Sequence, residues 1–314
     1  MKQNRRNFLK NTAILTGSAL FSADKTRSMP FVTTNPLHAA GPVEVFINQY
    51  MVSTFYEREG INYLKNLDRC FAELKAAGLA GVEVMAGQPE ELNPFIEAHQ
   101  KQNMQVRSIY VNGNLHDEAT AMAEIKRITA VAEKAKTVGA KVVVYNPMAK
   151  SGKSDAELNT QNQSLDLLGA ELRKTGLKLA MHYHTTELEF AGREFHSFMC
   201  DTKPENVSLC FDTHWSYRAS NNSAVSAYSH AKLYGDRIVE LHVRQSQGGI
   251  WTETFVKNAD IDYDKTLAIL RQNKGFDNCL VVLEQAPEKG TPKTLQPIDI
   301  FKQSVVAVKQ LFSV

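Results

Sequence analysis

Eight short runs rich in β-branched residues recur along this chain, and between them lie longer stretches whose apolar residues are spaced three and four apart. The runs are Val43 to Gln49, Gly81 to Met85, Gln105 to Val111, Lys141 to Asn146, Leu177 to His184, Val207 to Asp212, Ile238 to Val243 and Cys279 to Glu284. Strands that alternate with helices are joined by crossovers, and crossover-linked strands pair in parallel. Helical spacing is plain at Leu64, Leu67, Phe71 and Leu74, and again at Leu165, Leu168 and Leu172. Gly78, Gly139, Gly176 and Gly275 stand where a helix end favours a left-handed residue. The span 41–314 approaches the ~250 residues of a (β/α)8 barrel, and no G-x-G-x-x-G turn supports a doubly wound sheet. The expected fold is α/β, a (β/α)8 TIM barrel with one helix per unit.

Composition narrows the function classes. With 43% hydrophobic and 22% charged residues the chain is globular, not disordered. Thirty-six Lys+Arg against 34 Asp+Glu leave a net charge of +2, too little for a phosphate-binding stripe, so no nucleic-acid partner is expected. Cys70, Cys200, Cys210 and Cys279 lie far apart without a C-x-x-C pair and read as buried thiols, not as zinc ligands. No apolar run in the mature chain approaches the roughly 18 residues of a membrane span.

Residues 1–40 read as an address. Arg5-Arg6 followed by Phe8-Leu9-Lys10, ahead of a mildly apolar stretch from Ala13 to Ala23, resembles a twin-arginine signal peptide. Pro, Thr, Asn and Ser between Arg27 and Pro42 read as a linker, with cleavage after Ala23 or near Ala39-Ala40. The resemblance implies the twin-arginine export machinery as a partner and a periplasmic or otherwise exported location. It also implies export of an already folded chain, which allows a metal to be loaded first.

In a barrel of this kind, chemistry sits at the C-terminal ends of the strands. The fifth run ends His182-Tyr-His184, and a period of two places both histidines on one face, opposite Leu179, Met181 and Tyr183. The same parity points Asp212 and His214 inward on the sixth run, with Trp215 next in sequence. On the seventh it points His242 inward and Val239, Leu241 and Val243 outward, and the eighth terminates on Glu284. Converging carboxylates and imidazoles in a barrel mouth would be costly without a neutralising cation. Mixed His and carboxylate donors suit one divalent ion: manganese, zinc, cobalt or magnesium. Glu83, on the second run, reads as a structural group or a substrate contact.

The segment Met181-His-Tyr-His-Thr-Thr-Glu187-Leu-Glu-Phe190 is similar to an H-x-H-x-x-E-F segment of the xylose isomerase-like TIM barrel superfamily, also called sugar phosphate isomerase/epimerase. Phe211-Asp-Thr-His-Trp215, Glu240-Leu-His242-Val and Val282-Leu-Glu-Gln285 follow in the expected order. The resemblance implies a metal held by Asp212, His242, Glu284 and a strand-five carboxylate. At that last place this chain has His182, with Glu187 five residues on. Glu187 is the expected fourth ligand, and His182 is the alternative. His182, His184 and Glu284 are then the expected proton carriers, and Glu83, His214, Trp215 and Arg244 the expected substrate contacts. Arg244-Gln245 stands where the branch commonly has Lys-Asp, and Gly248-Gly249 beside Ile250-Trp251 supplies a loop able to cover a bound sugar.

The implied activity is an exported, metal-dependent isomerase or epimerase working through an enolate on an unphosphorylated, small-molecule carbohydrate. A 3-keto-glycoside lyase or hydratase and a non-catalytic sugar-binding barrel are the alternatives. An abasic-site endonuclease is disfavoured, since the second and third runs end without histidine.

Overall fold

A computed structural model describes residues 43–273 and 276–313. The expected signal and linker, residues 1–40, and Gly275 lie outside the described residues. Eight parallel strands close into a barrel: β1 (Val45–Asn48), β2 (Gly81–Met85), β3 (Ser108–Gly113), β4 (Val142–Pro147), β5 (Lys178–Met181), β6 (Val207–Asp212), β7 (Ile238–Val243) and β8 (Leu280–Leu283). Each strand pairs with the next, and β8 returns to β1 with Val281 opposite Val45. The (β/α)8 architecture is the one expected.

Strand ends differ where side chains compete with the ladder. The fifth run is shorter than expected: His182 still donates its N–H to Tyr145 O at 2.8 Å, but the His184 N–H goes to the Glu187 carboxylate at 2.7 Å. That side-chain acceptor replaces a strand partner and ends β5. Gln105 keeps only an isolated bridge to Gly81, and β3 begins at Ser108.

Ten α-helices surround the barrel in the described residues, not eight. They are α1 (Gln49–Arg58), α2 (Leu67–Ala76), α3 (Asn93–Gln102), α4 (Ala121–Lys136), α5 (Asp155–Lys174), α6 (Glu189–Cys200), α7 (Thr213–Ala219), α8 (Ala224–Tyr234), α9 (Tyr263–Leu270) and α10 (Pro297–Phe312). Two units carry a pair each, α1 with α2 and α7 with α8. The extra members start without a linker, because the last strand residue is itself the cap: Asn48 Oδ1 accepts from Tyr50 N at 2.7 Å, and Asp212 Oδ1 from His214 N at 2.7 Å. Gly78, Gly139 and Gly176 have positive φ at the expected helix ends.

The outer faces of the strands and the inner faces of the helices form one apolar shell. Inside the barrel Tyr110, Val142, Val144, Ala180 and Cys210 make a smaller plug, against which Val239 packs. Val239 was expected to face outward. A register shift on β6, where Leu209 pairs with Ile238 but Cys210 with Glu240, leaves Val239 as a bulge residue outside the alternation. The cysteines also depart from expectation, since Cys200 is exposed and Cys279 half-buried; all four are free thiols. Among the described residues no helix is long and apolar enough to cross a membrane.

Candidate active site

Four side chains meet above the plug. One donor atom each from His182, Asp212, His242 and Glu284 lies within 4.8 Å of the others. Three of these residues are fully buried, and Glu284 is 6% exposed. The strands explain the convergence: Asp212 and His242 are register partners on β6 and β7, while His182 and Glu284 are the first residues past β5 and β8. The N–H of Glu284 donates to Val243 O at 3.1 Å, so its backbone is still anchored to the sheet.

Two of the four donors make no hydrogen bond. Asp212 Oδ1 caps α7, accepting from His214 N at 2.7 Å and Trp215 N at 3.1 Å, whereas the buried Oδ2 accepts no hydrogen bond and has only the Arg244 guanidinium, 3.9 Å away, as an ionic neighbour. His182 Nε2 is likewise buried without a partner. Glu284 Oε2 sits 2.9 Å from His242 Nδ1 and 2.5 Å from Arg244 Nη2. Two imidazoles and two carboxylates with orphaned buried atoms are a donor set that fits a borderline divalent cation.

Electrostatics follow from burial and neighbours. Burial drives His182 well below the ordinary histidine range, and it holds His184 at about 4 and His214 at about 2. Burial also raises the Asp212 carboxyl, against the opposing charge of Arg244. For Glu284 burial acts upward, but Arg244 and His242 outweigh it and hold the carboxylate well below its usual range. Burial alone would lower His242, yet the Cys210 thiol with Glu83 and Glu284 raises it.

A second polar layer lies beneath. His242 Nε2 is 3.1 Å from Glu240 Oε1 and 3.3 Å from Glu83 Oε2, with all three side chains fully buried. Cys210, Glu240 and His242 form a second group of donors within 4.8 Å.

Residues 71–305 match the model of the xylose isomerase-like TIM barrel family. The chain belongs to this family. An inosose dehydratase of Clostridium perfringens is 24% identical over 257 residues, covering 72% of this chain and 84% of that protein. Among solved structures, a sugar phosphate isomerase/epimerase from Parabacteroides distasonis superposes with a TM-score of 0.67 at 13% identity, covering 86% of this chain and 95% of its own. The IOLI protein with a bound zinc atom superposes at 0.61 with 20% identity, covering 87% and 100%.

Within this xylose isomerase-like barrel the sequence-predicted residues divide. Asp212, His242 and Glu284 come together as expected. The fourth donor of the group is His182, the alternative expected at this place, and Glu187 is not among the grouped donors. Glu187 Oε2 is turned to the His184 N–H, and Oε1 is buried without a partner. Beyond it lies a buried ion pair, Lys153 with Glu194 at 2.6 Å.

His184 stands beside the cluster, its ring centroid 4.8 Å from that of His182 and 4.8 Å from the Trp215 indole. Among the described residues nothing hydrogen-bonds its ring. Strand parity does not carry to His214, because α7 begins at Thr213. Both of its nitrogens are engaged, Nδ1 by the Trp251 indole N–H at 3.1 Å and Nε2 by Ser246 Oγ at 2.8 Å. It is a strut for the following loop. Glu83 lies in the lower layer, against His242 and Asn48.

The Gly248–Gly249 turn, with both residues at positive φ, closes a ribbon of Ser246–Gln247 against Ile250–Trp251. Asp260 accepts both glycine N–H groups, at 2.9 and 2.7 Å, so the ribbon is pinned. It delivers Trp251 to the site, with the Arg244 guanidinium 4.2 Å from its centroid and 5.2 Å from that of Trp215. Arg244 Nε and Nη1 are buried and unpartnered. Sequence reasoning assigned no role to Glu240 or Tyr110, and it placed Trp251 only in a loop able to cover the site. The first shares the parity of His242, and that was the signal available.

Proposed function

We propose that this protein is a metal-dependent enzyme acting on an unphosphorylated keto sugar or keto glycoside, which removes the proton beside the carbonyl and completes the reaction by elimination, as a lyase or hydratase. The observation that carries this reading is His182 at the end of β5. Epimerisation through two carboxylates needs an acid there, and Glu187 is turned away. A dehydratase among the relatives supports elimination over epimerisation.

A divalent ion held by His182, Asp212, His242 and Glu284 would supply Lewis acidity to the substrate carbonyl and acidify the neighbouring C–H. His184 is the base we assign: burial keeps its ring neutral above about pH 4, and with no hydrogen bond to the ring among the described residues its unprotonated nitrogen can take a proton. Arg244 directs its unpartnered Nε and Nη1 protons at oxygen on which negative charge develops. Trp215 and Trp251 hold that guanidinium flat and keep water from it. A neutral substrate suits these charges, because the histidines at the rim are uncharged and Arg244 is already paired with Glu284. The Arg5-Arg6 segment supports an exported enzyme, for which unphosphorylated sugars are the accessible pool.

The test is a panel of keto sugars and 3-keto glycosides incubated in D2O with manganese- or zinc-loaded protein and followed by NMR. Deuterium beside the carbonyl with loss of water or an alcohol is expected, falling on the order of 10²-fold or more in His184→Ala while metal is retained. Inverted configuration with every oxygen kept would assign an epimerase instead, and binding without exchange would assign a non-catalytic sugar-binding barrel.

A further inference from the structure

The two imidazoles of the cluster are gripped by opposite ring nitrogens. His182 is held at Nδ1, which lies 3.1 Å from the Tyr110 hydroxyl and 3.3 Å from Asn146 Oδ1. Its Nε2 is the atom left without a partner. His242 is held the other way round: Nε2 faces Glu240 Oε1 at 3.1 Å and Glu83 Oε2 at 3.3 Å, while Nδ1 faces Glu284 Oε2 at 2.9 Å, an oxygen that is itself one of the four grouped donors, so a cation there would displace that contact and leave those at Nε2 in place. The holders are themselves held, since Ser108 Oγ donates to Glu240 Oε1 at 3.3 Å and Asn48 Nδ2 donates to Glu83 Oε2.

An acceptor fixed against one ring nitrogen keeps the proton there and leaves the lone pair on the other. We infer that the barrel fixes its two histidines in opposite tautomers, with His182 donating to the cation through Nε2 and His242 through Nδ1, and that Tyr110 and Glu240 are the respective positioning residues. This rests on the metal reading of the site. Glu240 acts only through His242: its Oε1, fixed by Ser108 and facing Nε2, aims the ring and leaves Nδ1 toward the other donors. Glu83 backs the same nitrogen from β2. The competing arrangement has a cation below the ring, between Cys210, Glu240 and Nε2, and it predicts the reverse assignment for His242.

Zinc titration of protein labelled with ¹⁵N at histidine decides between them. The expected result is one zinc per chain, with His242 keeping a proton on Nε2 and His182 keeping one on Nδ1. Glu240→Ala should weaken zinc on the order of 10- to 100-fold, and Glu240→Gln, which retains an acceptor oxygen, should recover part of it. Tyr110→Phe should weaken zinc several-fold and release the Nδ1 proton of His182 to faster exchange. A role confined to packing would lower the melting temperature without moving either tautomer. Zinc on Nε2 of His242, or unchanged affinity and ring signals in the variants, would overturn this inference and leave the metal reading standing. Failure of the unaltered protein to bind zinc would remove both. If Glu240→Ala does not fold, the tautomers of the unaltered protein with Glu240→Gln and Tyr110→Phe still give the answer.

Discussion

The guanidinium of Arg244 lies 2.5 Å from the carboxylate of Glu284, and both side chains are withdrawn from solvent at the barrel mouth. A buried pair of this kind contributes little over an apolar replacement, but removing one partner strands the other charge. Glu284 has a second claim on it, as one of four donors suited to a cation. The two positive partners should therefore substitute for each other in part.

Arg244→Met is expected to destabilise the metal-free protein by about 3 kcal/mol, since Glu284 then lacks its main counter-charge. Saturating zinc should restore most of that loss. Denaturant unfolding with and without zinc measures both arms, and an equal loss in the two conditions would contradict the argument.

The choice at β5 gives a second expectation. His182→Ala should weaken zinc at least tenfold, because it deletes a donor whose Nε2 is buried and unpartnered. Glu187→Gln should leave zinc affinity within a few-fold, as that carboxylate serves the His184 N–H. Calorimetric titration of both variants suffices; a reversal of the two phenotypes would return Glu187 to the site.

Much of this was legible in the chain, and what was not has a local cause. Asp212, His242 and Glu284 could be read because each closes an apolar run on the inward parity, and parity survives as long as the ladder does. His182 and Glu187 could not be ranked, since where β5 ends depends on a side chain capturing the His184 N–H. The parity argument stops short of His214 for a related reason: Asp212 is both the last strand residue and the cap of α7. Helix α1 was hidden by the same double use of Asn48. Val239 fell to a bulge, which has no signature in alternation alone.

The proposed export gives a third expectation. The four donors are distant in sequence, at 182, 212, 242 and 284, and meet only once the barrel has closed, so on the proposed twin-arginine route a metal would be acquired before the folded chain is transported. Changing Arg5 and Arg6 together to Lys should leave full-length, folded protein in the cytoplasm. Cell fractionation reads this directly, and normal processing of the double variant would refute the twin-arginine route.

The fourth expectation concerns acid. His230 on α8 is buried against Phe195, with ring centroids 4.6 Å apart, and its Nδ1 lies 2.9 Å from Ser216 Oγ. Ser216 in turn meets the Tyr183 hydroxyl at 3.0 Å, which donates to the Asp212 carbonyl at 2.8 Å. Burial, with His196 nearby, pushes His230 down to about 4. An unfolded histidine titrates near ~6.5, so between these values the unfolded chain binds the extra proton and gains stability relative to the native state. The contribution of a neutral His230 is thus intact above about pH 6.5 and is lost progressively as pH falls toward 4, by an amount on the order of 3 kcal/mol. His184 and His214 act in the same direction, so the variant removes only one share of the slope. Chemical denaturation of the parent and His230→Leu from pH 7 to pH 4 should show a shallower acid decline in the variant. Parallel declines would mean that His230 is already charged in the native protein, or that its proton is exchanged without cost to the Ser216–Tyr183 chain.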